Sequence, residues 1–344
     1  MHRDTPAAAA VSPIGAVLAS TDLPPTPAAT AASWIAREHV PGRRCWALEG
    51  IGSYGAGLAA FLDQAGERVV EVCRPKRLPN RGGRKTDMLD AIRAAKEALA
   101  TEHLIQPRLR GEREALRFLL ATRHSAVLAS TAAINQLKAL IVSAPDDLRA
   151  ELRKLKRPAQ IAYCAQLRDR PAQSLEHRMT ARALRSTAQS IQALQAEAKD
   201  LEKDIHALVA DMAPELLDLL GVGPVTAAQI LVSWSHQGRF RSEAAFASFA
   251  GVSPIPALSG LTNRHRLNRS GDRQLNRALH TITLIRMRLD PATKAYVARR
   301  ITEGKTARDA QRCLKRVICR QLFKTLERID RPTPRSIVDL VQAA

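Results

Sequence analysis

The pattern of apolar and polar positions divides the chain into three parts, and the first part has the character of an α/β domain. Residues 45–48 and 68–73 are short apolar runs of strand length. Between them, residues 54–64 carry apolar positions at helical spacing, and residues 87–100 predict a second helix. The order strand, helix, strand, helix predicts a layered α/β domain over residues 1–105.

The middle part, residues 106–212, shows no strand signal and predicts long helices. Apolar positions there recur in steps of three and four residues, which is a heptad seam. The two series are Val127, Ser130, Ile134, Leu137, Ile141 and Ile191, Leu194, Ala198, Leu201, Ile205, Leu208, Met212. A polar, proline-containing stretch over residues 145–171 separates them. The seam fits a hairpin within one chain or a coiled coil between protomers, and spacing alone does not choose.

The third part, residues 213–330, is mostly helical by pattern, and residues 331–344 form a proline-containing tail. The predicted fold class is therefore α/β plus all-α. Gly221 and Gly223 stand in an apolar-Gly-apolar-Gly pattern before a helix start, which is typical of a helix–hairpin–helix turn. Such a turn binds a nucleic-acid phosphate through backbone N–H groups. An ordinary tight turn between two helices has the same pattern.

The charge of the chain favours nucleic acid as the partner. The 344 residues contain 53 Lys and Arg against 33 Asp and Glu, a formal net charge of +20. A basic excess of this size predicts a polyanionic partner, nucleic acid first. Aromatic residues make up only 3% of the chain, which argues against a protein that grips single strands by base stacking.

Composition also bears on the compartment. No run of about 18 uncharged apolar residues is present, so no membrane span is expected. The five cysteines are scattered without a CxxC pair, which argues against a disulfide framework or a zinc site. Ser12 and Pro13 interrupt the apolar N-terminal residues, which disfavours a signal peptide. The expected location is the cytoplasm.

Three acidic residues are candidates for a metal site. Glu49 ends the first apolar strand, and Asp87 and Asp90 lie three residues apart at the start of a predicted helix. Carboxylate oxygens are the ligands that Mg²⁺ prefers, and bound cations of this kind assist phosphoryl transfer. The alternative for the two aspartates is an ordinary helix start, because acids stabilise the first helical turn.

A serine and a cluster of basic residues are candidates for the chemistry on DNA. Ser259 precedes Gly260 in a proline-rich segment, where an exposed hydroxyl can serve as a nucleophile, although such a Ser-Gly pair is more often a simple turn. Arginines placed after it can bind phosphate and stabilise developing negative charge. The candidate backbone contacts are Asn263, Arg264, Arg266, Arg269 and Arg273.

Taken in order, these segments resemble a known family. It is the insertion-sequence transposases that join an N-terminal RuvC-like DEDD domain to a C-terminal serine domain, the bridge-RNA-guided recombinases. The matching blocks are residues 48–55 (LEGIGSYG), 85–91 (KTDMLDA), 135–139 (NQLKA), 221–227 (GVGPVTA), 240–241 (FR), 250–254 (AGVSP), 259–260 (SG) and 271–278 (GDRQLNRA).

The resemblance implies an RNase H fold, Mg²⁺ and a serine mechanism. It places metal-binding acids at Glu49, Asp87 and Asp90, and the nucleophile at Ser259, which would attack a phosphodiester and hold the strand as a phosphoserine. It implies donor and target DNA, a noncoding guide RNA, and a homodimer or homotetramer in which acids of one protomer meet the serine of another.

The resemblance also implies an incomplete start. The segment His2-Arg3-Asp4 matches one that follows the family's first metal-binding aspartate, which would therefore fall one position before Met1. Asp4 is not that acid, and we expect a RuvC-like domain lacking its first strand in an N-terminally truncated chain. Two alternatives to an active transposase remain open. One is a catalytically inactive nucleic-acid-binding remnant, and the other is a Mg-dependent junction nuclease that uses only the acids.

Overall fold

The computed structural model of the protein describes residues 7–22, 44–49, 55–72, 86–102, 104, 107, 111–259 and 262–330. The chain divides into two compact units, Met1–Arg110 and Gly111–Ala344. The predicted tail over residues 331–344 and Asp4 lie outside the described residues. The second unit contains both the predicted helical middle and the predicted C-terminal part.

The strands of the first unit form two separate pairs. Strands β1 (Ala7–Val11) and β2 (Val17–Asp22) pair antiparallel as a hairpin, with a register shift between Ala10 and Val11. Strands β3 (Cys45–Glu49) and β4 (Arg68–Val72) pair parallel and in register. The predicted strands at 45–48 and 68–73 are thereby confirmed, whereas the β1–β2 hairpin was not predicted.

Two helices pack on these strands. Helix α1 (Ala56–Gln64) connects β3 to β4, and its Ala59 and Leu62 are buried against Val69. Parallel strands need such a crossover connection. Helix α2 (Asp87–Ala100) contacts all four strands. The strand–helix–strand–helix order is confirmed, and the finer RNase H arrangement, with or without its first strand, stays a prediction.

The second unit begins with two long antiparallel helices, α3 (Glu112–Val142) and α6 (Leu175–Met212). At one end Leu137 of α3 shares a buried cluster with Leu184 and Ile191 of α6. At the other end Leu116 lies with Ile205 in the main core. The heptad seams therefore pack within one chain, which is the hairpin alternative.

The connection between the long helices is itself helical. Helices α4 (Asp146–Arg153) and α5 (Arg157–Ala165) occupy the stretch that the sequence had described only as polar and proline-containing. Leu152 and Ile161 are buried in the cluster under the end of the hairpin. Burial of these apolar positions holds short helices that local propensity would leave marginal.

The remaining helices surround one apolar core. They are α7 (Pro214–Leu217), α8 (Pro224–Trp234), α9 (Glu243–Phe249), α10 (Arg273–Leu289), α11 (Pro291–Thr302) and α12 (Ala307–Ile329). Trp234 is fully buried at the end of α8 and packs edge-on against Phe246 and Phe323. Between α9 and α10, strands β5 (Ile255–Ser259) and β6 (Thr262–Arg266) form an antiparallel hairpin.

Helix α3 is unusually apolar. Among the described residues it is the one helix long and apolar enough, by length and composition, to cross a membrane. The core helix of a globular protein passes the same test. Its buried positions Leu116, Leu137 and Ile141 contribute to the clusters shared with α6, and Arg123 pairs with Glu202 of that helix at 2.7 Å.

Candidate functional site

The three candidate acids lie on neighbouring elements of the first unit. Glu49 is the last residue of β3, opposite Val72 of β4. Asp87 is the first residue of α2, where the Thr86 hydroxyl accepts a hydrogen bond from the Leu89 N–H at 3.3 Å. Helix α2 contacts β3, so the structure brings the two elements that carry the acids together.

The three acids are candidate ligands for a metal ion. Their chemistry fits Mg²⁺, because all three offer carboxylate oxygens. However, in the part of the chain that the structure describes, no three Asp, Glu, His or Cys residues lie close enough to hold a metal ion. One of the carboxylates, that of Asp90, accepts a hydrogen bond from Arg93 at 3.2 Å. The described geometry therefore does not form the site, and metal binding stays a prediction.

Ser259 lies at the tip of the β5–β6 hairpin. It is the last residue of β5 and pairs with Thr262, the first residue of β6. Only Gly260 and Leu261 separate the two strands, and they lie outside the described residues. The sequence pattern predicted at most a turn for the proline-rich segment that holds this serine, whereas the structure places the serine at the end of a strand. A two-residue connection fixes the register of a hairpin, so the serine backbone has a defined position.

The base of this hairpin is held by unusually close backbone packing. A Cβ atom on Gly271 would overlap the backbone of Gly251, so a side chain at Gly271 requires a shift of the chain. Gly251 itself has φ +67°, a conformation that favours glycine. The Asp272 N–H donates to the Phe249 carbonyl at 2.6 Å, and the Asn276 amide donates to the Ala250 carbonyl at 2.8 Å. These contacts fix the hairpin to the end of α9 and the start of α10.

The candidate arginines follow the chain from the hairpin into α10. Asn263 and Arg264 belong to β6, opposite Leu258 and Ala257. The other three, Arg266, Arg269 and Arg273, are exposed. Among the described residues, none of these three guanidinium groups forms an ion pair with a carboxylate. An exposed guanidinium without a carboxylate partner is suited to a phosphate.

The glycine-rich turn before α8 is part of the interior packing. Gly221 has φ +83°, and an added Cβ would lie 3.1 Å from the Ile282 carbonyl of α10. The Gly223 N–H donates to the Thr226 hydroxyl at 2.9 Å. Gly221 thus has a structural role, the Gly223 N–H already has a partner within the chain, and a phosphate contact at this turn stays a prediction.

A row of basic residues on α12 was not singled out by the sequence analysis. Positive side chains recur there every four residues, which places them along one ridge of the helix. The helix contains seven Lys and Arg against two acids. A count of charges within each predicted helix would have found this surface. The residues of the ridge are Arg308, Arg312, Arg316, Arg320, Lys324 and Arg328.

Comparison with known proteins matches an N-terminal and a C-terminal stretch of the chain to transposase profiles. A profile described as "Transposase IS116/IS110/IS902 family" matches residues 213–298, and a transposase profile named DEDD_Tnp_IS110 matches residues 1–144. The chain is 35% identical over 144 residues to the "Insertion element IS110 uncharacterized 43.6 kDa protein" of Streptomyces coelicolor. That match covers 41% of this chain and 36% of the relative.

A second relative is matched over a longer stretch. The chain is 28% identical over 313 residues to the "Insertion element IS900 uncharacterized 42 kDa protein" of Mycobacterium paratuberculosis. This match covers 77% of the chain and 78% of the relative. The profile at residues 1–144 precedes the profile at residues 213–298, which is the order that the sequence blocks predicted.

Proposed function

The chain belongs to the IS110/IS116 family of insertion-sequence transposases, and from this premise we propose that it cuts and rejoins DNA with Ser259 as nucleophile. The observation that carries the proposal is the position of Ser259. It stands at the tip of a hairpin inside the region matched by the C-terminal transposase profile, with exposed arginines following it.

The proposed chemical step is a transesterification. The Ser259 Oγ attacks the phosphorus of a DNA phosphodiester, an Oγ–P bond forms, and the bond from phosphorus to one strand oxygen breaks. The hydroxyl proton leaves to a base, and the departing strand oxygen takes up a proton and becomes a hydroxyl. Reversal of the step by a hydroxyl of another strand joins the new strands and restores the serine.

The exposed arginines at the foot of the hairpin support this step. Arg266 ends β6, and Arg269 and Arg273 continue toward the first turn of α10. Guanidinium groups donate paired hydrogen bonds to phosphate oxygens, so these residues would bind backbone phosphates that flank the one attacked at the hairpin tip. They would hold the strand beside the hairpin tip.

The proposal also assigns a divalent cation, Mg²⁺ by its ligand preference, to Glu49, Asp87 and Asp90. The family profile at residues 1–144 and the contact between α2 and β3 support this assignment. When bound, such a cation neutralises phosphate charge. Calorimetric titration of Mn²⁺ tests the assignment directly, because Asp87→Asn should weaken binding at least about tenfold while the exposed Asp204→Asn should not.

The proposed partners are donor and target DNA, a noncoding guide RNA, and further copies of this chain as a homodimer or homotetramer. DNA follows from the transposase family. The guide RNA and the assembly rest on the resemblance of the sequence blocks alone. The proposed location is the cytoplasm.

A plasmid recombination assay tests the proposed function. Ser259→Ala and Asp87→Ala should each abolish the joined product, whereas the exposed Ser125→Ala and Asp204→Ala should leave it. An adduct between protein and DNA that survives detergent should form with the wild type and be lost in Ser259→Ala. Cleavage of a DNA junction that survives Ser259→Ala supports the junction nuclease instead, and DNA binding without any turnover supports the inactive remnant.

A further inference from the structure

A cluster of basic groups lies where α10 and α12 pack together, below the base of the β5–β6 hairpin. The Lys315 ammonium of α12 donates a hydrogen bond to the Asn276 side-chain oxygen of α10 at 3.2 Å. The Asn276 amide in turn holds the Ala250 carbonyl at 2.8 Å. His280 lies one turn further along α10 and is partly buried.

The cluster lacks a negative partner. No carboxylate in the described part of the chain lies within ion-pair distance of Lys315. The charged group that affects its pKa is another cation, Arg312, which pairs with Asp309 at 3.0 Å. Burial lowers the pKa of Lys315, and Arg312 lowers it further.

The second group of the cluster is the imidazole of His280. Its Nδ1 atom is buried and has no hydrogen-bond partner among the described residues. Burial lowers the pKa of His280, and the positive charge of Lys315 adds to this effect. A buried imidazole nitrogen without a partner is unfavourable, and a hydrogen bond to a bound ligand would offset that cost.

A purely structural role accounts poorly for Lys315. The amide of Asn276 is already fixed by the carbonyls of Ala250 and Gly251. An apolar side chain on α12 would fill the same space without the cost of removing an ammonium group from water. The ammonium has three N–H donors, and one of them goes to Asn276.

We propose that Lys315 and His280 form a binding site for a phosphate group, which is occupied by one backbone phosphate of duplex DNA as the strand approaches the β5–β6 hairpin. The inference rests on the proposed function for the source of the phosphate. The arrangement of the two groups at the base of the hairpin that carries Ser259 would fix the register of the strand relative to the serine.

Sulfate, a tetrahedral dianion that does not titrate near neutral pH, tests the site without DNA. The melting temperature of the full chain is measured against sodium sulfate, with sodium chloride at equal ionic strength as reference. Lys315→Gln should weaken sulfate binding at least about tenfold, because a charge-assisted hydrogen bond is lost. Lys199→Gln, an exposed lysine on α6, is the matched control and should behave as the wild type.

A second measurement keeps the inference testable if Lys315→Gln does not fold. In the wild type, bound sulfate should raise the pKa of His280, followed by its imidazole NMR signal and identified by its loss in His280→Gln. Unchanged sulfate binding in Lys315→Gln, or an unchanged His280 signal in the wild type, overturns the inference.

Titration of a 20-base-pair DNA duplex tests the source of the phosphate. Lys315→Gln should reduce affinity about tenfold and lower the slope of log K against log salt by about 0.9, the value for one phosphate. If Lys315→Gln weakens the binding of an RNA duplex but not that of the DNA duplex, the assignment to DNA is wrong. If the wild-type chain binds sulfate and DNA as expected but gives no recombination product, the proposed function is contradicted and the phosphate site is not.

Discussion

A buried ion pair connects three helices of the second unit, and its removal has a calculable cost. Arg113, in the first turn of α3, pairs with Asp330 at the end of α12, and their side chains are only 14% and 13% exposed. The same carboxylate accepts the indole N–H of Trp234 at 2.6 Å. The guanidinium also donates to the Ser235 carbonyl, at the end of α8.

We expect Arg113→Met to destabilise this unit strongly. Methionine keeps the packing of the aliphatic stem but leaves the Asp330 carboxylate buried with the indole as its remaining partner. Removing one member of a buried pair costs about 3–5 kcal/mol. For a unit of this size, about 2–4 °C are lost per kcal/mol, so the melting temperature should fall by roughly 6–20 °C.

Thermal unfolding followed by circular dichroism measures this effect. The control is Lys203→Met, which removes an exposed pair with Asp200 at 2.7 Å whose side chains are 69% and 68% exposed. Its loss should stay within about 2 °C, because exposed pairs contribute little. In a double-mutant cycle, Asp330→Asn should cost less in the Arg113→Met background than in the wild type. A melting temperature of Arg113→Met within 2 °C of the wild type would refute the reasoning.

Three further predictions follow from local geometry. Gly221→Ala should cost about 1–3 kcal/mol in urea unfolding, because the position has φ +83° and the Ile282 carbonyl lies 3.1 Å from an added Cβ. Gly223→Ala, with open space around its Cβ, should cost under about 1 kcal/mol, and equal losses in the two variants would contradict this prediction. Burial, then Arg239 and Arg113, lower the pKa of His236. The unfolded chain therefore binds its proton first, and stability should be full above about pH 6.5 and fall below it. His236→Gln should flatten that decline and the exposed His206→Gln should not, as denaturation at pH 5 and 7 will show. Burial raises the pKa of Cys164 to about 11 and that of Cys319 to about 12. Maleimide at pH 8 should therefore label the exposed Cys45 and leave these two thiols unmodified until the chain unfolds, which peptide mass spectrometry measures.

The elements that the sequence predicted correctly carry their signals locally. Helix α2 begins and ends at the predicted residues, because Thr86 caps it and Asp87 and Asp90 favour its first turn. Strand β3 carries the apolar run of residues 45–48, and strand β4 carries three β-branched valines. The parallel pairing of these strands also follows from the predicted helix between them.

The elements that it missed depend on contacts between distant or unfavourable residues. Strand β1 is almost all alanine, a residue with weak strand preference, and it forms by pairing with β2. Strand β5 contains Pro256, which argues against a strand from sequence but is tolerated at an edge. The location of Ser259 at a hairpin tip was therefore not accessible from the residue pattern around it.

The cluster of Lys315 and His280 was missed for a related reason. The two residues are 35 positions apart and lie on different helices, so only the packing of α10 against α12 brings them together. The acids illustrate the opposite case, since Asp87 and Asp90 are neighbours by helical spacing alone. Their relation to Glu49 depends on how α2 packs on β3, which spacing does not encode.

The proposed reaction requires the acids of the first unit and Ser259 of the second unit to serve the same phosphodiester. They can come from one chain or from two copies, and mixing inactive variants separates these cases. If different protomers supply them, Ser259→Ala mixed with Asp87→Ala should restore recombination, to about a quarter of the wild-type level for a site built from two randomly assorted chains. Ser259→Ala mixed with the double variant Ser259→Ala/Asp87→Ala is the control and should restore none. A mixture that stays inactive, although the two variants assemble with each other, would show that each chain supplies both groups to its own site.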